Sequence, residues 1–349
     1  CFDALNSDNS IDLKEAKNKN EKAKSRCVGL TLETRPDYIN EDEVGGFRYL
    51  GATRVELGVQ SLDNKILELN KRGHNVETTI KATRLLKDAG FKICWHLMPN
   101  LYGSNVEKDK KQFREVFSNP DFRPDYIKIY PCMVTKDTPL FTLYRDKKYR
   151  AYIYEELVDI ISDIKKHTPY WTRIMRTIRD IPATSIISGS VTSNLRQIVL
   201  QNAGKESWQC RCIRCREVGL RQKAVGEAEL FLEEYEASEG KEIFLSYETR
   251  GRVLYSLLRL RLTKNQFIGE LKECALIREV HTYGQEMGIG EKGKTQHTGL
   301  GRKLIIEAEM IAKKEGYKKI AVISGVGVRD YYRKLGYNLS GEYMVKTLK

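Results

Sequence analysis

The chain has 349 residues, 41% of them hydrophobic, which is enough for two globular domains. No apolar run approaches the roughly 20 residues of a bilayer-spanning helix, so a membrane protein is not expected. The net charge of +13 and an isoelectric point near 9.2 favour a polyanionic partner met through phosphate contacts, the alternative being a lysine-rich composition without functional meaning.

Eight cysteines in a chain of this length do not form a disulfide framework. With no stretch reading as a signal peptide, they are expected to be reduced thiols or metal ligands in a cytoplasmic protein. Nineteen tyrosines offer faces on which splayed bases can stack, which suits single-stranded RNA.

The sequence opens at Cys1-Phe2-Asp3-Ala4 without an initiator methionine and reads as a fragment. A charged, helix-compatible segment runs from Ile11 to Lys24, followed by strand patterns at Cys27–Thr34, Arg54–Gln60, Phe91–Met98 and Tyr126–Tyr130. Helical patterns at Val76–Ala89 and Val106–Phe117 fall between them. Alternation at roughly 30 residues argues for βαβ units and a parallel sheet or partial barrel. Four strands are too few for a closed eight-stranded barrel, and the opening strands are expected upstream of Cys1. Glu33, Arg35, Gln60, His96, Lys128 and Tyr130 fall at strand C-terminal ends, where such sheets place their chemistry.

Cys210, Cys212 and Cys215 form C-x-C-x2-C, three thiolates within six residues, a set that suits structural zinc. Free thiols or a disulfide are the alternatives, and the spacing does not choose a fourth ligand. The trio falls in a connection, residues 171–217, between a first domain over 1–170 and a second over 218–349. That second region opens with long strand patterns, Ala228–Ala237, Glu242–Tyr247 and Val253–Leu262, suggesting antiparallel sheet.

A strand-like run, Ala275–Tyr283, then leads to Gln296-His297-Thr298-Gly299-Leu300-Gly301 and a helical run from Arg302 to Glu315. Glycines at a helix N-terminus let backbone N–H groups close around a pyrophosphate, with the helix dipole favouring its charge. The alternative is a flexible loop with a helix cap. A second buried strand, Lys319–Ser324, and a short helix over Arg329–Tyr337 follow.

The form Q-x-x-G-x-G and this element order resemble the GNAT acetyltransferases, whose two central strands splay around the pantetheine arm. The resemblance implies acetyl-CoA on Gln296, His297, Thr298, Gly299, Leu300, Gly301 and Arg302, with its arm along Ile277, Glu279 and His281. It also makes Tyr331 or Tyr332 the acid for the leaving thiolate, with core packing as the alternative for each.

Across the chain, "LTLETRPDYI", "RVELGVQS", "NKRGH", "FKICWHLMPNLYG", "FRPDYIKIYP", "WTRIMRTIRDIP", "QHTGLG" and "KIAVISGVGVRDYYRKLGY" resemble, in that order, the catalytic subunit family of the Elongator complex. That family joins a radical S-adenosylmethionine domain to an acetyltransferase domain and builds a carboxymethyl group on C5 of the anticodon wobble uridine. The resemblance implies an α/β fold, a partial (β/α) radical-SAM-type barrel followed by a GNAT domain with a mixed sheet. It implies S-adenosylmethionine near Glu33, Gln60 and His96, catalytic roles at Lys128 and His281 beside the tyrosines, and accessory subunits or a homodimer. The family's [4Fe–4S] ligands, a C-x4-C-x2-C triplet, find no match here, because Cys1, Cys27, Cys94 and Cys132 stand singly. This chain is therefore expected to lack the cluster loop. A tRNA anticodon stem-loop is expected to meet Lys71, Arg72, Lys128, Arg173, Arg176 and Arg179. Protein-lysine (histone) acetylation and a non-catalytic tRNA-binding scaffold are the competing readings.

Overall fold

A computed structural model describes residues 1–189, 194–220, 227–284 and 299–348. After α1 (Leu13–Lys22), strand and helix alternate: β1 (Thr31–Thr34), α2 (Glu41–Tyr49), β2 (Arg54–Gln60), α3 (Asn64–Leu69), α4 (Val76–Asp88), β3 (Lys92–Leu97), α5 (Val106–Ser118), β4 (Tyr126–Ile129). Asn40, Asn75 and Asn105 precede α2, α4 and α5, and each side-chain oxygen accepts from a first-turn backbone N–H. Asparagine is favoured there because it satisfies a donor that the helix itself leaves open.

The strands pair in parallel in the order β1-β2-β3-β4-β6, the last being β6 (Arg173–Arg176). The sequence suggested four strands and a connection starting at 171; the sheet instead continues into that segment. Arg-Ile-Met-Arg is too short, and too charged at both ends, for periodicity to reveal it. Between β4 and the second domain lie the small pair β5 (Val134–Thr135) and β7 (Ile186–Ser188), with helices α6 (Pro139–Arg145), α7 (Tyr154–His167), α8 (Leu195–Lys205) and α9 (Ile213–Arg216).

Successive strand residues point to opposite faces. Val55, Leu57, Ile93, Trp95, Ile127 and Ile129 are fully buried against Leu86, Val116, Ile160 and Ile161 of the crossover helices. The other face carries Glu56, Cys94, His96, Tyr126 and Lys128, with Glu56 beside Cys94 and His96 beside Lys128 in the register.

In the second half, β8 (Glu229–Ala237), β9 (Gly240–Glu248), β10 (Leu254–Leu262) and β11 (Cys274–Thr282) run antiparallel. Next, β12 (Lys319–Val322) lies parallel to β11, and β14 (Tyr343–Thr347) and β13 (Asn338–Ser340) complete the sheet antiparallel. Helix α10 (Leu300–Lys314) sets Leu304, Ile305, Ala308 and Ala312 on Leu258, Leu260, Ile277 and Val322. Burial of each large apolar side chain contributes about 1.5–3 kcal/mol, so packing rather than propensity holds this helix. The short α11 (Arg329–Arg333) follows β12.

The other face of this second sheet is charged, buried and turned to the first domain. Arg278 joins Asp125 at 2.6 Å and Glu242 at 3.0 Å, and Arg261 joins Asp88 at 2.6 Å. Tyr343 donates to the Ala89 carbonyl at 2.8 Å, and Arg48 to that of Ser324 at 2.8 Å. Removing one partner of such a pair leaves a buried uncompensated charge, so the contact fixes the two domains in register. The architecture implied by the resemblance, a partial parallel sheet followed by a mixed sheet with helices, is the one found. Among the described residues no helix is long and apolar enough to cross a membrane.

Candidate functional site

At the C-terminal edge of the parallel sheet lies a cavity of about 270 Å³, lined by Glu33, Gln60, Arg72, His96, Met98, Tyr130 and Arg179. Every strand contributes from its end or the loop beyond it, which is why Glu33, Gln60, His96 and Tyr130 gather here, while Arg35 and Lys128 of the same set do not line it. Gln60 adopts a left-handed φ of 67° where the β2–β3 register shifts, turning the strand end towards the cavity. Beneath it, Glu56 Oε2 lies 2.7 Å from His96 Nε2, and the same oxygen accepts from Lys128. Burial opposes the Glu56 charge, but the hydrogen bonds from His96 and Lys128 prevail and hold its pKa at about 2. Burial also opposes the Lys128 ammonium; Glu56 outweighs it and raises the lysine's pKa. Lys128 is thus a held cation under the cavity and is not open to a phosphate. The strand carries this signal openly: Glu56 is a charged residue inside a buried run.

Glu56, Cys94 and His96 bring ligand atoms within 4.8 Å of one another. They do not fit a metal as they stand, because Glu56 is ion-paired and burial keeps the Cys94 thiol well above its usual pKa. Nor do they fit an iron–sulfur cluster, which needs several thiolates gathered together.

The second centre lies where β11 and β12 part. Their parallel pairing covers Cys274–Ile277 against Lys319–Val322 and ends there, while β11 runs on to Thr282 beside β10 alone. The pairing of β10 with β11 passes from Arg259↔Glu279 to Leu260↔Ile277, so Arg278 is an extra residue that bends the strand. The β11 edge beyond Ile277 is left unpaired towards β12, beneath the N-terminus of α10. Gly299 caps that helix at φ 94°, a conformation open to glycine. A side chain at Gly301 would begin 3.3 Å from Thr282 Oγ1, 3.6 Å from Val280 and 3.8 Å from the Tyr331 hydroxyl. Gln296, His297 and Thr298 lie outside the described residues.

Helix α11 separates the two candidate acids. Tyr331 is 42% exposed and faces the start of α10, whereas Tyr332 is buried in the core beside Tyr337. Burial raises the pKa of the Tyr331 hydroxyl, with Arg302 pulling the other way. Along β11, Ile277 is a core residue and His281 is exposed with its ring 4.3 Å from that of Tyr283. Glu279 faces the first domain, accepting from Arg259 at 2.8 Å and from Tyr126. Its side chain is therefore committed to the domain contact and not turned to the open gap.

Cys210, Cys212 and Cys215 bring their sulfurs within 4.8 Å of one another. The Lys165 ammonium stands 3.7 Å from Cys210 Sγ and 3.5 Å from Cys215 Sγ. Hydrogen bonds from the two neighbouring thiols hold the Cys212 pKa well below that of a free thiol. The donor set fits zinc, and among the described residues no fourth His, Cys, Asp or Glu joins it. Ile213 donates to the carbonyl of Thr172, just before β6, so the trio sits at the sheet end opposite the cavity.

Of the expected cationic contacts, Arg72 and Arg179 line the cavity and Lys71 is exposed beside Arg72. Arg176 is exposed and pairs with Asp180 at 2.6 Å. Arg173 is placed elsewhere: its guanidinium is bound to Glu217, 5.8 Å from the Tyr283 ring, and its charge is spent inside the molecule.

The radical SAM superfamily model matches residues 3–112, and that of the radical SAM C-terminal domain residues 124–204. The chain is 50% identical, over its whole length and 67% of the relative's, to a tRNA uridine(34) acetyltransferase of Methanocaldococcus jannaschii. Identity is 46% to the protein of that name from Dehalococcoides mccartyi, covering 100% of this chain and 78% of that one. It is 41% to Elongator complex protein 3 of Homo sapiens, covering 99% and 65% respectively. The solved structure of the archaeal Methanocaldococcus infernus Elp3 with an N-terminal deletion (1–46) superposes with TM-score 0.95 at 49% identity, covering 100% of this chain and 84% of that one. The chain thus spans about two thirds of the length of several of these curated relatives.

Proposed function

The chain belongs to the family of tRNA uridine(34) acetyltransferases and Elongator complex protein 3, and from that premise we propose that it is an acyltransferase that applies acetyl-CoA to the wobble uridine of tRNA, towards a carboxymethyl group at C5. The observation that carries this reading is the parting of β11 and β12 beneath the α10 N-terminus, with the Tyr331 hydroxyl beside Gly301.

Acetyl-CoA, when bound, supplies an activated two-carbon unit. The backbone N–H groups at the start of α10 take its pyrophosphate, favoured by the helix dipole. The open β11 edge from Arg278 to Thr282 offers backbone partners to the pantetheine amides. Tyr331, its pKa raised by partial burial, keeps its proton near neutral pH and holds it for the departing thiolate.

The radical SAM part of the family uses S-adenosylmethionine and a [4Fe–4S] cluster. Glu33, Gln60 and His96 would line the S-adenosylmethionine cavity, but the described residues there do not supply the cluster's thiolates. Zinc on Cys210, Cys212 and Cys215 would pin the segment joining the two domains. A tRNA anticodon loop would meet the cavity rim through Lys71, Arg72, Arg176 and Arg179, in cytoplasm and beside accessory subunits.

A protein-lysine acetyltransferase has no use for a basic-rimmed cavity on a domain ion-paired to the acetyltransferase half, which favours RNA over a histone tail. The test is CoA release from acetyl-CoA, followed by thiol trapping. A tRNA transcript should accelerate it and a histone-tail peptide should not; the reverse result overturns the proposal.

A further inference from the structure

We infer that Tyr38 is a stacking platform for an unstacked anticodon-loop base next to the one that enters the cavity. The inference rests on the proposed tRNA substrate and adds a residue that neither the cavity lining nor the acetyl site contains.

Tyr38 ends a short 3-10 turn, Pro36–Tyr38, directly after β1, the strand that sends Glu33 into the cavity. The turn is anchored by Pro36 and Ile39, both buried, and by the bonds Tyr38 N–H to the Arg35 carbonyl and Ile39 N–H to the Pro36 carbonyl, each 3.2 Å. The Tyr38 ring is nevertheless 59% exposed. A large aromatic side chain carried on a hydrogen-bonded turn is thus left in water without gaining burial.

One side of that ring is already occupied. The Arg35 guanidinium carbon lies 5.1 Å from the ring centroid, within cation–π range. Arg35 is itself fixed, forked onto Asp37, with Nε 3.0 Å from Oδ1. Its Nη2 would stand only 3.2 Å from a Cβ at Gly73, where φ is +75°, so Arg35 fills the space a side chain would need. The arginine is therefore wedged between Tyr38, Asp37 and the backbone of the neighbouring loop. Its neighbour in that loop, Arg72, enters the cavity with a buried, unpartnered Nε.

The contacts thus run in sequence from aromatic ring to an Asp37-paired guanidinium, to the Gly73 position, and then to the neighbouring Arg72 in the cavity. Bases splayed out of single-stranded RNA are held by such a pairing: a ring or guanidinium plane for the base, and free cations for the phosphates on either side. The chain's excess of positive charge fits the same partner. A base seated on the open face of Tyr38 is linked through Arg35 and Gly73 to Arg72, the adjacent residue of that loop and part of the cavity lining.

The test is fluorescence anisotropy of the chain with a labelled anticodon stem-loop RNA, across a salt series, for Tyr38→Trp, Tyr38→Phe, Tyr38→Leu and Tyr38→Ala. Thermal unfolding of each variant serves as the folding control. Trp and Phe should bind like the parent, while Leu and Ala should bind about tenfold or more weakly. The slope of log affinity against log salt should not change in Tyr38→Ala, because no phosphate contact is lost. In Arg72→Ala it should fall by about one. A blunt RNA duplex without the loop should not distinguish Tyr38→Ala from the parent. Equal loop binding by Tyr38→Leu and the parent overturns the platform alone. A parent chain that does not bind the stem-loop overturns the tRNA reading and the platform together.

Discussion

The Tyr331 hydroxyl stands 3.8 Å from the point where a side chain at Gly301 would begin, so one gap is shared by the α10 N-terminus and an exposed phenol. Replacing Gly299 confounds two effects, because its φ of 94° strains any other residue. Gly301 is the cleaner position. An added methyl there meets only ordinary or slightly tight contacts, and alanine exceeds glycine in helix propensity by about 1 kcal/mol. Gly301→Ala should therefore melt at or above the parent temperature while binding acetyl-CoA at least tenfold more weakly by calorimetry. Unchanged affinity would remove the pyrophosphate from this loop.

Tyr331→Phe removes the proton donor and is expected to leave the fold intact, since the ring is partly exposed and its hydroxyl makes no hydrogen bond among the described residues. General acid assistance contributes on the order of 10²–10⁴-fold. Stimulated CoA release should fall towards that range with acetyl-CoA affinity retained. Tyr332→Phe changes a core residue and should leave the rate within severalfold of the parent. Equal rates for Tyr331→Phe and the parent would show that the thiolate leaves without this acid.

The tyrosines also show what the sequence could and could not convey. Two adjacent residues of a helix point about 100° apart, so only the packing of α11 decides which faces the gap. The glycines before α10, the cysteine spacing and the polar strand ends were legible because each depends on local chain geometry. Arg259, Arg261 and Arg278 were not. In β10 and β11 they resemble the solvent-facing half of an alternating strand, and the first domain's Asp88 and Asp125, with Glu242 and Glu279 of their own sheet, account for their burial. Arg173 was misplaced for a related reason: its partner Glu217 lies 44 residues further along the chain, and only the fold brings the two together.

Arg173 yields a prediction opposite to that of its basic neighbours. Arg173→Glu places two carboxylates together in a largely buried contact and should lower the melting temperature by several degrees. Arg179→Ala, at the exposed rim, should leave melting unchanged and lower the salt slope of tRNA binding by about one. Differential scanning fluorimetry and gel shifts read the two effects apart. A stable Arg173→Glu variant with a selective tRNA defect would return Arg173 to the RNA path.

The Glu56 pair sets an acid dependence. Its pKa is 4.5 when unpaired and about 2 in the folded chain, so the stabilisation it supplies is complete above pH 4.5 and is lost as pH falls towards 2. The denaturation midpoints of the parent and Glu56→Gln should differ most above about pH 5 and converge below it. A gap that stays constant through this window would mean that Glu56 is not held charged by His96 and Lys128.

Elemental analysis should find about one zinc per chain in the purified protein, lost on substitution of Cys212. Absence of zinc, with three thiols open to a thiol reagent in the folded state, would leave Cys210, Cys212 and Cys215 without a metal role.

The most direct measurement is the rate of CoA release from acetyl-CoA by the parent and by Gly301→Ala, each with and without a tRNA transcript. The tRNA should accelerate release in the parent and fail to accelerate it in the variant at the same acetyl-CoA concentration. Equal acceleration in both proteins, or none in the parent while a histone-tail peptide accelerates release, would contradict it.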